Sequence, residues 1–301
     1  MLKIKELLNL EKSQQKLAII LILPTIIAVF FVLIYPLIYS FVVSFGNLEL
    51  QELNKLSFVG FNNYINIIRD REFIDSLKVT MIFVFFTISI KLILGILVAV
   101  ILNENFIGRS IARTLIIVPW AISYVVAGIM WKWMLNPKAG IINYILLKIG
   151  ITEKYISFLA SKQLALPSII IAEIWKSTPF FIIIFLAGLQ TIPSQLYEAA
   201  SLDGASGIRS FFSITIPMIR LQIYISIVLG TISSISSFDL FYIMTQGGPA
   251  NYTTNITFYN WINAFKYYHI SYSSAISYMT LIITMLITIV YMIVVKRIKL
   301  E

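Results

Sequence analysis

Side chains able to do electrostatic or polar-recognition chemistry are sparse in this sequence and gather in three places. The first is LYEAASLDGAS, Leu196 to Ser206, where Glu198 and Asp203 bracket Ala199 and Ala200 ahead of Gly204. Two small alanines give a slim face that another protein's groove can approach closely, and the two acids offer charge to a basic partner. The second is a serine run closed by an acid: Ser233, Ser234, Ser236, Ser237 and Asp239. The third is a scatter of ions within apolar stretches, Lys91, Glu173 and Lys176. Other chemistries are missing from the composition. With no Cys there are no disulfides, thiolate metal sites or Cys nucleophiles, and a lone His269 cannot form a His cluster.

The elements that must position these residues are membrane helices. Of 301 residues, 12% are charged and 59% hydrophobic, and mean hydropathy is +0.89. A soluble domain carries about 25% charged residues. A span needs about 20 mostly apolar residues, and six segments qualify: near 17–45 (interrupted by Pro24 and Pro36), 78–102, 112–135, 164–189, 217–240 and 273–295. The expected fold class is an all-α integral membrane protein, a single domain over 1–301. Lys3, Lys5, Lys12 and Lys16 precede the first span, and Lys296, Arg297 and Lys299 follow the last. These short basic flanks predict cytoplasmic termini. The internal loops are nearly even in charge, so orientation rests on the ends. The first apolar run is too long for a signal peptide and no small-x-small site follows it, so it reads as an uncleaved span. The net charge of +9 serves orientation and lipid headgroups, with no nucleic acid implied. Outside the membrane, Phe61, Tyr64, Ile65 and Ile68 have the spacing of a surface helix, and 141–150 reads as a second amphipathic piece.

This topology puts LYEAASLDGAS in the cytoplasmic connection 190–216 between spans four and five. Ser194, after Pro193, is placed to N-cap a short helix, and Gly204 to end it in the left-handed conformation. Ser206 can cap a second helix over 207–216, ahead of Pro217. An ordinary capped surface helix has the same local chemistry, so the local pattern alone does not assign docking.

The longer string is more specific. Glu198-Ala199-Ala200, three residues, Gly204, nine residues and Ile214-Thr-Ile-Pro217 resemble the E-A-A-x3-G-x9-I-x-L-P signature of ABC importer permeases, with Ile216 in place of Leu. The likeness extends along the chain. FVGFNNYINIIRDREF (58–73), IWKSTPF with the LAGLQTIPSQLYEAASLDGAS beyond it, and SFDLFYIMTQGGPANYTT (237–254) are similar to the carbohydrate-type branch, the maltose and glycerol-3-phosphate permeases. The large extracellular insertion of the enterobacterial maltose subunit is absent. The resemblance implies a type I ABC importer permease fold in a bacterial plasma membrane. It implies four partners: a homologous second permease, two cytoplasmic ATPase subunits and an extracellular binding protein that delivers a carbohydrate. It also implies a mechanism, in which Glu198, Ala199, Ala200, Asp203, Gly204, Ile214 and Pro217 form a coupling element moved by the ATPases.

No Gly-x4-Gly-Lys-Ser/Thr, Gly-x-Ser-x-Gly or His-Glu-x-x-His string occurs. The chain is therefore expected to be no enzyme and to bind no cofactor itself, with ATP and Mg on the ATPase partner. Two readings compete. A self-contained secondary transporter would show inverted repeats and broken helices with paired charges, and no repeat is visible. A membrane enzyme would need clustered His or carboxylates.

Ionisable groups at membrane depth mark pathways by default. The serine run and Asp239 suit a wet substrate face, although serines also let helices pack closely. Trp175, Tyr242, Tyr259 and Trp261 are candidate sugar platforms, with the interfacial aromatic belt as the competing role. Glu173 and Lys176, three apart, are expected to pair along one helix face. Lys91 has no partner on its own helix: it reaches Glu173, lines the cavity, or lies nearer a surface. Thr245 to Pro249, TQGGP, is a turn expected to shape the outer loop.

Overall fold

The computed structural model describes residues 2–48 and 57–298, with backbone only for 2–13, 15, 18 and 294–298. The side chains of Lys3, Lys5, Lys12, Lys296 and Arg297, and the whole of Lys299, lie outside the described residues.

The chain packs as two units, residues 1–67 with 263–279 and residues 68–262 with 280–301. In the first, α1 (Leu2–Val29) passes through a π turn, Phe30–Ile34, into α2 (Tyr35–Ser44). Pro36 opens α2, and the wider turn before it accommodates the missing N–H and the ring's clash with the preceding turn. From Ile19 to Ser44 the helix is apolar for 26 residues, and none before Val43 and Ser44 at its end is buried. Two-residue strands β1 (Gly46–Asn47) and β2 (Ser57–Phe58) pair antiparallel, Gly46 opposite Phe58. The expected surface helix is α3 (Asn62–Arg69). Its Asn63 Nδ2 donates to Ser44 O (2.9 Å) and Gly46 O (2.8 Å), satisfying carbonyls at the end of α2.

In the second unit α4 (Arg71–Asn103) is N-capped by Asp70, whose Oδ1 accepts from Glu72 N at 2.9 Å. The third expected span is not one rod: α5 (Arg109–Ala121) and α6 (Tyr124–Met134) meet at 94°. Pro119 sits in the last turn of α5, and Ile122 and Ser123 are extended at the break, where Ser123 caps α6. The amphipathic α7 (Ile141–Lys148) carries buried Asn143, which exchanges two 2.9 Å bonds with the Ile156 backbone and pins the loop beyond.

α8 (Ala165–Leu189) is the central helix. It runs parallel to α4: Phe83 shares a core with Ile169 and Ile170, Lys91 meets Glu173, and a β-carbon at Gly95 would stand 3.0 Å from Phe181 Cβ. The C-terminal ends of α4 and α8 therefore leave the membrane on the same face. After α8 come α9 (Ser194–Leu202), α10 (Gly207–Ser210), a π turn at Phe211–Thr215 and α11 (Ile216–Met218). The helix expected over 207–216 is thus three short pieces. They join α12 (Arg220–Ile235) at a 65° bend.

The fifth span, expected over 217–240, stops at Ile235. Asp239 opens a separate helix, α13 (Asp239–Met244), and α14 (Ile256–Trp261) follows. A third π turn, Ile262–Lys266, leads towards α15 (Ile270–Ile298), which contains the expected sixth span. By length and composition, four described helices can cross a membrane, or six if each bent pair counts once.

Candidate functional site

Two arrangements carry the polar chemistry. The first is α9, which follows α8 directly on the face where α4 ends. Pro193 holds an extended backbone at the N-cap and Ser194 falls inside the first turn, so the expected Ser194 side-chain cap is not made. The C-terminus ends as the sequence implies. Gly204 has φ +76°, while Asp203 N donates to Ala199 O (3.1 Å) and Ala205 N to Ala200 O (2.9 Å). A β-carbon on Gly204 would meet nothing within 4 Å, so its left-handed backbone, not crowding, reserves the position for glycine. Ser206 Oγ accepts from Arg209 N and starts α10. Tyr197 OH and Thr215 Oγ1, 2.9 Å apart, brace α9 against the returning chain.

The result is a short helix held at both ends and open along its length. Glu198, Ala199, Asp203, Gly204 and Pro217 are exposed; Ala200 and Ile214 are partly covered. Leu202, 89% exposed, and the exposed Ile208 flank the Gly204 turn. Sequence reasoning missed this apolar pair, whose only signal was two large aliphatics in a polar connection.

The second arrangement surrounds the end of α12. Lys91 Nζ lies 3.1 Å from Glu173 Oε1, and both residues are 1% exposed. Ser177 Oγ donates to the same oxygen at 2.7 Å, and Lys91 also reaches Ser234 Oγ at 3.4 Å. The pair thereby joins α4, α8 and α12 within the membrane. Glu173 and Lys176 do not pair. Lys176 Nζ instead donates to Trp120 O (2.8 Å) and lies 4.6 Å from the Tyr124 ring centroid, so it spans the α5–α6 break. Its cation meets the carbonyl end of α5, a favourable place for a positive charge, while Glu173 is taken up by Lys91. Glu173 Oε2 has no hydrogen-bond partner among the described residues.

One residue beyond Ser234 the helix ends, and the segment after α13 satisfies the carbonyls at its end. Thr257 Oγ1 donates to Ile235 O (2.9 Å) and Asn255 Nδ2 to Ser237 O. Asn255 also caps α14 through Phe258 N (3.0 Å). The TQGGP turn lies before it. Gly247 has φ +80°, and a β-carbon there would stand 2.6 Å from Thr254 Oγ1 and 2.7 Å from the Phe258 ring, so both conformation and space demand glycine. Thr245 and Thr253 hydroxyls bond across the turn at 2.8 Å.

The break gathers four rings. Phe238 stacks on Tyr242 (centroids 5.3 Å, 16°) and Phe258 on Trp261 (5.8 Å, 9°), with Tyr242 and Trp261 5.3 Å apart. Asp239, Tyr242 and Trp261 are partly exposed; Ser233 and Ser236 are exposed, Ser237 is half-buried and Ser234 is buried. Rings beside hydroxyls and a carboxylate can stack on a polyhydroxylated ring and hydrogen-bond its edge. Phe238 and Phe258 were not foreseen. Two expected platforms stand elsewhere. Trp175 packs edge-on against Trp131, 6.1 Å away. Tyr259 is buried, and its hydroxyl donates to Asp70 Oδ2, bracing α14 on the start of α4. No group of three or more His, Asp or Glu side chains converges among the described residues.

Residues 91–299 match the family described as binding-protein-dependent transport system inner membrane component. The trehalose/maltose transport system permease protein MalF of Thermococcus litoralis is 36% identical, covering 94% of this chain and 95% of that protein. The sulfoquinovosyl glycerol transport system permease protein SmoG of Agrobacterium fabrum is 32% identical, covering 94% and 91%. Among solved structures, the bacterial alginate ABC transporter in complex with alginate pentasaccharide-bound periplasmic protein contains a chain that superposes with TM-score 0.83. Identity is 24%, and 96% of each chain is covered. That likeness is one of fold.

Proposed function

The chain belongs to the family of binding-protein-dependent transport system inner membrane components, and on that premise we propose how it works: as half of a carbohydrate pathway driven by separate ATPase subunits. Its partners on this reading are a homologous second permease, two cytoplasmic ATPase subunits that bind ATP and Mg, and an extracellular binding protein. Both termini and α9 face the cytoplasm. The observation that carries the reading is α9 itself: nine residues, Ser194–Leu202, none of them buried, stopped by left-handed Gly204 and braced by Tyr197. A helix held at both ends transmits displacement as a rigid body. Glu198 gives it a charge for a basic cleft, and Leu202 and Ile208 supply desolvated contact.

For substrate, the α12 break offers aromatic faces and hydroxyls. The relatives named for trehalose, maltose and sulfoquinovosyl glycerol support a glycoside. Broken helices also occur in self-contained secondary transporters, but family membership decides against that reading. The test is Glu198→Lys in the reconstituted assembly. Uptake should fall at least tenfold, and binding protein should no longer stimulate ATP hydrolysis. Unchanged uptake and stimulation would remove α9 from the coupling path.

A further inference from the structure

At the turn joining α4 to α5, Phe106 and Ile107 stand in open space, Ile107 at 104% exposure. Behind them Arg109 Nη1 donates to Asn105 Oδ1 (2.6 Å) and to the Asn103 and Glu104 carbonyls (3.4 and 3.3 Å). Arg113 Nη2 donates to Leu102 O (2.8 Å). Each arginine so caps the carbonyl end of α4 through one nitrogen. A guanidinium has about five N–H donors in a fixed fork, so both retain donors for a further acceptor. Arg113 Nε is buried and has no partner among the described residues. An open groove of about 560 Å³ runs along this turn, lined by both arginines, Phe106, Ile107, Asn105 and Ser110. Glu104 is the loop's own acid; the two arginines outweigh it.

Position narrows the occupant. The turn is a five-residue link, 104–108, between two membrane helices, so it cannot travel far from the bilayer surface. It lies on the face from which α9 projects, because α4 and α8 run parallel. Large apolar side chains at an interface find hydrocarbon within a few ångström, while arginines at the same depth meet phosphates. A guanidinium pair recognises a phosphate by directed bonds as well as by charge.

We propose that the α4–α5 turn is a binding site for an anionic phospholipid headgroup of the bilayer. Arg109 and Arg113 hold the phosphate, and Phe106 and Ile107 insert at the acyl boundary beside it. The leaflet rests on the orientation proposed above, which makes it the cytoplasmic one, where anionic lipid attracts basic segments. Such a lipid would hold fixed the turn from which α5 starts towards its break.

The assembled transporter, purified with native lipid and exchanged into phosphatidylglycerol and phosphatidylcholine, is read by native mass spectrometry. Its preference for phosphatidylglycerol should fall roughly fivefold per arginine replaced in Arg109→Gln and Arg113→Gln, from about 1 kcal/mol per basic residue near an anionic surface. Glu104→Gln should raise the preference, and Arg109→Lys with Arg113→Lys should keep the part due to charge and so retain more of it than the glutamines, which covers the case of a glutamine variant that fails to assemble. Inorganic phosphate at millimolar concentration should not displace the lipid. Since the chain has no cysteine, Ile107→Cys gives it a single spin-label site, with the labelled parent complex as the subtracted blank. The label should report membrane-type accessibility to oxygen in vesicles containing phosphatidylglycerol. Equal retention of both lipids by parent and variants, displacement by phosphate, or a label that leaves water only when ATPase subunits are bound would each overturn the site. Orientation is read separately: modification of Ile107→Cys by an impermeant reagent on intact cells would overturn the leaflet and leave the lipid site standing.

Discussion

Lys91→Met isolates what the buried ion pair contributes. Methionine keeps most of the side-chain volume and removes the charge, leaving the Glu173 carboxylate 1% exposed with Ser177 still donating to it. Stranding one member of a buried pair costs about 3–5 kcal/mol, because an uncompensated charge stays out of water. Loss of the 3.4 Å contact to Ser234 adds at most about 1 kcal/mol. For a domain of this size about 1 kcal/mol corresponds to roughly 2–4 °C, so the apparent melting temperature in detergent should drop by about 10 °C. Glu173→Gln should cost less, since Ser177 and Lys91 can both bond an amide oxygen, though the ammonium is then unpaired. The decisive variant is the double one. With both charges gone, replacement of a buried pair by neutral groups of similar volume is often neutral, so Lys91→Met with Glu173→Gln should melt within about 3 °C of the parent. The cycle then yields a coupling term of about 3 kcal/mol. A double variant as unstable as the sum of the singles would refute pairing and leave only packing. Single variants that melt like the parent would refute burial of a charged pair altogether.

Other outcomes follow from the same geometry. Gly204→Ala meets no obstruction, but its left-handed backbone should cost about 1–2 kcal/mol; Gly204→Asn should recover most uptake, and equal loss in both would assign the position to contact rather than conformation. Tyr259→Phe deletes the hydroxyl that donates to Asp70 and should lower thermal stability by about 1.5–3 kcal/mol, the range for a bond to a charged group, while KM for uptake stays unchanged. Trp261→Ala removes a partly exposed ring from the α12 break and should raise the KM for transported sugar roughly tenfold, the worth of about 1–1.5 kcal/mol of aromatic contact, with basal ATP hydrolysis unaltered.

The local features of this protein were legible in its sequence because local forces decide them. Runs of about 20 apolar residues specify spans whatever their neighbours, and α4, α8 and α15 lie where hydropathy puts them. Gly204 ends α9 because a left-handed residue after a helix is a backbone preference that glycine alone meets without strain. The same holds for Ser206 at the start of α10. The tertiary structure decided what depends on partners distant in the chain. Lys91 meets Glu173 across 82 residues and Tyr259 meets Asp70 across 189, separations at which sequence spacing carries no information. The near neighbours Glu173 and Lys176 were drawn apart, one to a cation on α4 and the other to an open carbonyl on α5. The breaks after Ala121 and Ile235 have the same origin. A span can stop in the membrane only where other segments take its freed backbone groups, and at Ile235 these are Asn255 and Thr257, some twenty residues further on. Residue type alone says which side chains are costly to bury; packing decides which group compensates each one.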